Sequence, residues 1–417
     1  MTDPFVTSTD LKDELSVEEN KNSKSILSNQ KLIKIIVVSI IIVLSIGFLV
    51  LVLLLNVDDN TESESDSESD KDSNPKKTTN PDKDANYFPI PVRLDDSKKE
   101  ISCIYSVNDI SSTIPLLSKD YTNNGISEIY INNEKIPYNK DYNFNKTGNY
   151  NIHFILSSNV NMDNMFKGIK NIISLQLFAN SKVTISSMKS VFENCLNLIN
   201  VTINDNNFTT TTVGDMSGLF SECKSLKNVD LSSLDTSNVK TMTKMFFKCE
   251  SLTSIDLTKF NTEKVEDMSY MFGNLYNLTF LSIESFDTRN VKNMKGMFCN
   301  DYKIEDIDVS NFRTEKVEIM TGMFYNCFNL KQIKTDNFNT EKVTNFDYTF
   351  ANCTNVKILN LNSFKTGRCQ SFEFMFSGCD HMIVEINENV NNYANLLDAI
   401  LDSDVNIRFI LEIENEL

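Results

Sequence analysis

From Met162 onward, apolar residues return at the same positions in one unit after another. The unit from Met242 also contains the spacing Leu252-x-x-Ile255-x-Leu257, which is the strand signature of leucine-rich repeats. The units start 26 residues apart, with one step of 28, at Met162, Met188, Met216, Met242, Met268, Met294, Met320, Phe346 and Phe372. Because no unit can bury its apolar residues alone, this period predicts a solenoid in which neighbouring units stack into a continuous core.

The pattern within each unit predicts one strand and one second element. The strands would form a parallel sheet on the concave face, with neighbouring strands about 4.8 Å apart. The Met-x-x-Met-Phe segment would form a short helix or turn on the convex side. The predicted fold class is therefore an α/β repeat solenoid similar to leucine-rich repeats.

A different apolar pattern lies near the N-terminus. The 21 residues from Ile35 to Leu55 carry no charge, which is long enough for a helix to cross a bilayer. We therefore predict a transmembrane helix at 35–57, because a cleaved signal peptide would have a shorter apolar core. Lysines precede this stretch and acidic residues follow it, which places the tail 1–34 in the cytoplasm and the repeats outside.

The rest of the chain divides by composition. Residues 58–86 are polar and charged, which is typical of a disordered acidic stalk. Short β-type runs separated by turn residues predict a small sandwich or a β-rich N-terminal cap at 87–160, in which His153 would lie on a solvated strand face. The repeats occupy 161–387. A helical pattern followed by a strand pattern predicts a C-terminal cap at 388–417.

Charge and rare residues narrow the function. The chain of 417 residues has a formal net charge of −17, which argues against nucleic acid as a partner. It contains two histidines and only 11 glycines, and we find no catalytic triad, phosphate-binding loop or metal-ligand spacing. We therefore predict a protein that is not an enzyme and that holds no metal or cofactor.

Two repeated columns are tempting as chemistry but are better explained by packing. A cysteine column has Ile169 and Leu275 at equivalent positions, so its thiols are predicted to be reduced and packed as small apolar groups. A threonine column is predicted to place buried hydroxyls on turn carbonyls. Its members are Thr236, Thr262, Thr288, Thr314, Thr340 and Thr366.

The positions between the apolar strand residues are predicted to face outward on the concave side. Their acidic and apolar members favour a groove that binds a basic protein or peptide segment. The alternative is that the aspartates reflect only the repeat pattern and solubility. The candidate ligand-binding residues are Asp230, Asp256, Phe280, Ser282, Asp306, Asp308, Lys334 and Ile358.

Asparagines in Asn-x-Ser/Thr sequences are candidates for glycosylation if the repeats lie outside a cell that glycosylates. They are Asn145, Asn200, Asn207, Asn277 and Asn352.

The units, such as Asp256-Leu257-Thr258-Lys259-Phe260-Asn261-Thr262, resemble the BspA-type leucine-rich repeats of bacterial and protist surface proteins. The resemblance covers about Met162 to Ile386. It implies surface display and a role in adhesion, or in binding host or matrix proteins.

Together these patterns predict a single-pass membrane protein at the cell surface that binds protein ligands through its repeats. The alternative is a structural surface or coat protein that associates with copies of itself.

Overall fold

The architecture is that of a computed structural model, which describes residues 90–122, 124–387, 394–401, 403 and 405–410. The predicted tail, transmembrane helix and stalk lie outside the described residues. Among the residues that are described, no helix is long and apolar enough to cross a membrane.

Seven strands precede the repeats and turn into the solenoid without a break. They are β1 (Glu100–Val107), β2 (Ile114–Pro115), β3 (Ile126–Ile131), β4 (Glu134–Ile136), β5 (Asp141–Tyr142), β6 (Gly148–Leu156) and β7 (Asn159–Asn161).

The first turns of the solenoid add five strands: β8 (Ile172–Phe178), β9 (Val183–Ser187), β10 (Asn200–Thr202), β11 (Phe208–Thr209) and β12 (Asn228–Asp230). One sheet runs in the order β12-β10-β8-β1-β6-β3-β4. Strand β1 pairs antiparallel with β8, whereas β8, β10 and β12 pair in parallel. Of the two predicted alternatives for the N-terminal strands, this shared sheet favours the cap over a separate sandwich.

Later turns carry shorter and less continuous strands: β13 (Ser254–Asp256), β14 (Phe280–Ser282) and β15 (Ile358–Asn360). Strand β13 pairs only with β14, and β15 pairs with the next strand along the chain. Residues 306–308 and 332–334 occupy the equivalent positions but form no strand. The predicted parallel sheet is therefore present only in segments.

The predicted helix-or-turn segment is a turn in every unit. We call the eight residues from each unit's first position, such as Met242–Cys249, its turn segment. Within it the N–H of Met245 donates to the Met242 carbonyl, and the N–H of Cys249 donates to that of Phe246. Lys244 and Lys248 adopt positive φ, and the equivalent residues of other units do the same. These alternating left-handed residues exclude an α-helix, so the α/β class is wrong and the described solenoid is mostly β.

Hydrogen bonds between turn segments recur at every interface of the regular units. The N–H groups of Met242, Lys244, Phe246 and Lys248 donate at 2.9–3.0 Å to carbonyls 25 residues further along the chain. The same four bonds join the turn segment that begins at Phe346 to the last one. This side of the solenoid holds neighbouring turns together with a nearly constant set of contacts.

A column of phenylalanine rings forms the core behind these turns. Each ring stacks on the next at centroid distances of 5.3–6.1 Å, and the rings are buried. Its members are Phe166, Phe192, Phe220, Phe246, Phe272, Phe298, Phe324, Phe350 and Phe376.

The threonine column is buried and bonds to carbonyls as predicted. The Thr262 hydroxyl donates to the Asp287 carbonyl at 3.0 Å and accepts from the Asp287 N–H at 2.7 Å. Thr236 does the same with Asn261, and Thr288 with Arg313. One hydroxyl thus satisfies both polar groups of a residue in the next turn.

The C-terminal cap contains strand β16 (Ile383–Asn387), helix α1 (Ala394–Leu401) and strand β17 (Asn406–Ile410). Strand β17 pairs in parallel with β16, which pairs with β15. Leu396 and Ile400 of α1 are fully buried. The predicted helix and strand are both present, and they cover the strand side of the last turn.

Candidate functional site

The strand tripeptides and their equivalents in neighbouring turns form a surface that we call the strand face. It consists of 228–230, 254–256, 280–282, 306–308, 332–334 and 358–360. The middle residue of each tripeptide points inward, as Ile255 and Leu359 do, and the outer residues are available to solvent. Backbone positions repeat from turn to turn, whereas the exposed side chains differ.

Most of the predicted ligand-binding residues do lie on this surface. Asp256 and Asp306 are exposed, Asp230, Asp308 and Lys334 are half-buried, and Ser282 is the exception. Ser282 is buried at 6% exposure, so its prediction as an outward-facing residue is wrong. Its carbonyl accepts the N–H of Leu257 from the preceding turn, which draws this end of β14 into the core.

The aspartates of the strand face have structural partners of their own. Asp230, Asp256 and Asp308 each accept, through Oδ1, the N–H of the residue two positions later, at 3.0–3.1 Å. Hydrogen bonds from the backbone N–H and hydroxyl of Thr258 hold the pKa of Asp256 below its ordinary value. These carboxylates close the turn that follows each strand, which supports the reading of the aspartates as part of the repeat pattern.

Charge on the strand face differs between its two halves. Lys334 lies 3.6 Å from Asp308, and Lys331 lies 2.5 Å from Glu305 in the preceding turn. No such ion pair reaches Asp230 or Asp256 among the described residues. The acidic character is therefore concentrated in the earlier turns.

Two apolar side chains stand out on this surface. Phe280 is 58% exposed and Ile358 is 47% exposed. They lie in the same column three turns apart, which corresponds to about 14 Å. Exposed large apolar groups of this kind are typical anchors of protein interfaces.

The cysteines are free, buried and structural in the described region, as predicted. Each thiol of the column donates to the carbonyl of a spine phenylalanine in the preceding turn, for example Cys249 to Phe220 at 3.1 Å and Cys353 to Phe324 at 3.2 Å. Burial raises the pKa of these thiols, so they stay protonated and unreactive. No group of three metal-binding side chains is present among the described residues.

Asp301 occupies the cysteine column in the unit from Met294, which sequence reasoning missed. It is fully buried, and its Oδ1 accepts the Leu275 N–H at 2.9 Å. Its Oδ2 has no hydrogen-bond partner. Burial raises the pKa of this carboxyl well above its ordinary value. Aligning every unit to the seventh position after its first residue would have revealed the substitution.

A second buried polar cluster was also missed. The Ser102 hydroxyl donates to Glu100 Oε1 at 2.7 Å and lies 2.9 Å from His153 Nδ1. His153 is only 2% exposed, so its predicted place on a solvated strand face is wrong. The face of β6 that carries His153 is covered, because Glu100 Oε1 also accepts the Leu94 N–H from the segment before β1. The three groups resemble catalytic side chains in type, but their burial leaves no access for a substrate.

The sequons differ in how free their side chains are. The amide nitrogens of Asn207, Asn277 and Asn352 donate to neighbouring turns at 2.7–2.9 Å. The Asn200 side chain accepts from Asn228 at 2.6 Å. Asn145 is exposed in a bend, so a sugar at this position would displace no such bond.

Comparison with curated proteins finds no significant match to this chain. One family model matches the repeats four times, at residues 160–280, 186–306, 248–355 and 301–403. These ranges overlap and together cover more than half of the chain. The chain therefore belongs to the family described as Mycoplasma protein of unknown function, DUF285.

Proposed function

We propose that this protein is a membrane-anchored surface protein that recognises other proteins through its strand face. The main support is the contrast within each turn between constant and variable positions. Spine, thiol and threonine positions keep almost the same residues, whereas the exposed strand positions change from Asn228 to Ser254, Phe280, Asp306, Gln332 and Ile358. A rigid support with changing outer side chains suits selective binding.

The chemistry of this surface favours a partner with basic and apolar side chains. Asp230 and Asp256 lie on adjacent turns without a salt bridge among the described residues, and Phe280 lies on the next turn. A cationic segment would relieve repulsion between the two carboxylates while an apolar side chain covered the phenylalanine. The resemblance to BspA-type surface proteins, the predicted span at 35–57 and the predicted stalk at 58–86 support display outside the cell.

Orientation is tested first, on intact cells that express the full chain with a C-terminal tag. The proposal expects antibody to reach the tag and added protease to remove it without lysis. A tag protected until the cells are opened would contradict surface display.

Recognition is tested by binding of those cells to other cells and to immobilised matrix proteins. The double variant Phe280→Ala and Ile358→Ala should bind at least tenfold more weakly. Phe328→Ala, another exposed aromatic residue outside the strand face, serves as the matched control. Equal binding by all three chains would argue against the strand face. Self-association of the full chain without any foreign ligand would support a coat protein instead.

A further inference from the structure

The last turn segment, Phe372–Cys379, has an edge that no other part of the described chain covers. In every regular unit before it, four N–H groups donate to the following turn. The corresponding N–H groups of Phe372, Phe374, Phe376 and Gly378 have no hydrogen-bond partner among the described residues. On the strand side, by contrast, β17 continues the ladder beyond β16.

This edge opens into a groove of about 880 Å³. One wall is the last turn segment, and Asp398, Ala399 and Ser403 of the C-terminal cap line the other. Phe374 is 59% exposed, which makes it one of the most exposed large apolar residues of the described chain. An unpaired backbone edge beside an exposed ring is a ready template for another chain.

The preceding interface shows what such an edge accepts. Carbonyls of Ser371, Glu373, Met375 and Ser377, at alternate residues, receive the N–H groups of the unit from Phe346. Three pairs of rings stack across the same interface: Phe346 on Phe372 at 5.6 Å, Tyr348 on Phe374 at 5.1 Å and Phe350 on Phe376 at 5.9 Å. The occupant of the open edge should therefore offer carbonyls and aromatic side chains at alternate residues.

A second copy of this chain does not fit. The carbonyls of Phe372, Phe374 and Phe376 are already used within their own turns, so the edge presents only donors. Two donor edges cannot pair with each other. The first turn segment is covered, because the Ser118 N–H donates to the Met165 carbonyl and Phe154 packs on Phe166 at 5.4 Å.

We propose that this groove binds a segment of another protein by backbone pairing, with the pattern aromatic-x-aromatic-x-aromatic. The segment adds one further turn to the turn side of the solenoid. This site is separate from the strand face and does not depend on the function proposed for it.

The test uses the full-length chain and a synthetic peptide of residues 344–354 carrying Cys353→Ser. Hydrogen exchange of individual amides is followed before and after the peptide is added. Without peptide, the amides of Phe374 and Phe376 should exchange at least a hundredfold faster than those of Tyr348 and Phe350, which form the same bonds one turn earlier. Saturating peptide should slow Phe374 and Phe376 and leave the earlier pair unchanged.

Variants separate the groove from other surfaces. Ala399→Trp fills the groove and should weaken peptide binding at least tenfold. Phe374→Gly removes one stacking ring and should weaken it about two- to tenfold; glycine is tolerated there because Gly296 and Gly322 hold the same column at positive φ. Phe280→Ala on the strand face should bind the peptide like the unaltered chain.

Three results would overturn the proposal. A peptide in which the three aromatic residues are alanine should not protect the edge, and equal protection by it would remove the recognition pattern. Amides of Phe374 and Phe376 that are protected before peptide is added would show that the chain's own residues 388–393 cover the edge. Fast exchange that persists at saturating peptide would show that the edge binds nothing of this kind.

Discussion

The turn side and the strand side of this solenoid are built from the same units but are held together differently. On the turn side, each regular interface has four backbone hydrogen bonds, a stacked phenylalanine pair and, in most units, a thiol bond to a carbonyl. On the strand side, the parallel pairing is interrupted between β12 and β13 and again at 306–308 and 332–334. The comparison teaches that the turns maintain the stack, which leaves the strand positions free to vary.

The sharpest test of this comparison uses two phenylalanines of one unit. Phe272→Ala removes a buried ring of the spine and should lower the free energy of unfolding by about 3–5 kcal/mol. Phe280→Ala, on the exposed strand face, should change it by less than about 0.5 kcal/mol. Chemical denaturation of both variants measures the difference, and similar losses would mean that the strand side carries comparable stability.

A smaller effect is expected from the threonine link. Thr262→Val leaves the Asp287 N–H and carbonyl without their hydroxyl partner and should cost about 2 kcal/mol. Thr279→Val removes an exposed hydroxyl that donates to the Thr253 carbonyl at 3.0 Å on the strand side. Water can replace that bond, so its loss should be much smaller. An equal cost for both, measured by thermal unfolding, would show that burial is not what makes the column important.

Asp301 is a weak point on the otherwise strong side, and its replacement should stabilise the protein. Asp301→Cys restores the column residue and should add about 1–2 kcal/mol at neutral pH by removing an unsatisfied buried oxygen. The unfolded carboxyl ionises above its ordinary pKa near 4, whereas the buried one stays protonated to a higher pH. Unfolding is therefore favoured as pH rises between those two values.

The gain from Asp301→Cys should accordingly shrink as pH falls below about 4. Denaturation of both chains at neutral and acidic pH measures this dependence. The control is Asp306→Asn, whose carboxylate is exposed. A gain that is independent of pH would mean that ionisation of Asp301 does not contribute.

The smallest effect on stability is expected for Asp308→Asn on the strand face. The amide oxygen can still accept the Ser310 N–H, and the lost ion pair with Lys334 is partly exposed. The change should stay below about 0.5 kcal/mol. If the strand face binds basic partners, cell binding should nevertheless weaken, which separates recognition from folding. A large loss of stability would contradict a purely external role for this carboxylate.

The repeat period, the buried columns and the capping elements could be read from the sequence, because identical spacing forces equivalent residues to stack. Thr262 and Cys249 illustrate this, since each column position predicted its own burial. The turn conformation could not be read in this way. Lys244 and Lys248 adopt positive φ although lysine does not favour it, and only contacts with the next turn make that backbone stable.

Prediction at the candidate site failed for related reasons. Alternation along a strand placed His153 and Ser282 outward, but β6 is covered on both faces and β14 bends into the core. The open edge at Phe372–Cys379 also leaves no signal in the sequence. It arises because the chain's tail continues the strand ladder and not the turn ladder, which is a property of the assembled end.

The uniform link between regular turns has a consequence for how such genes change. Because each interface has the same geometry, insertion or loss of an in-frame block of 26 codons joins one existing interface type to another. Unequal recombination between copies would therefore yield folded proteins of different reach, in steps of about 4.8 Å. Variation in length among descendants of this gene would then cost far less than variation within a turn.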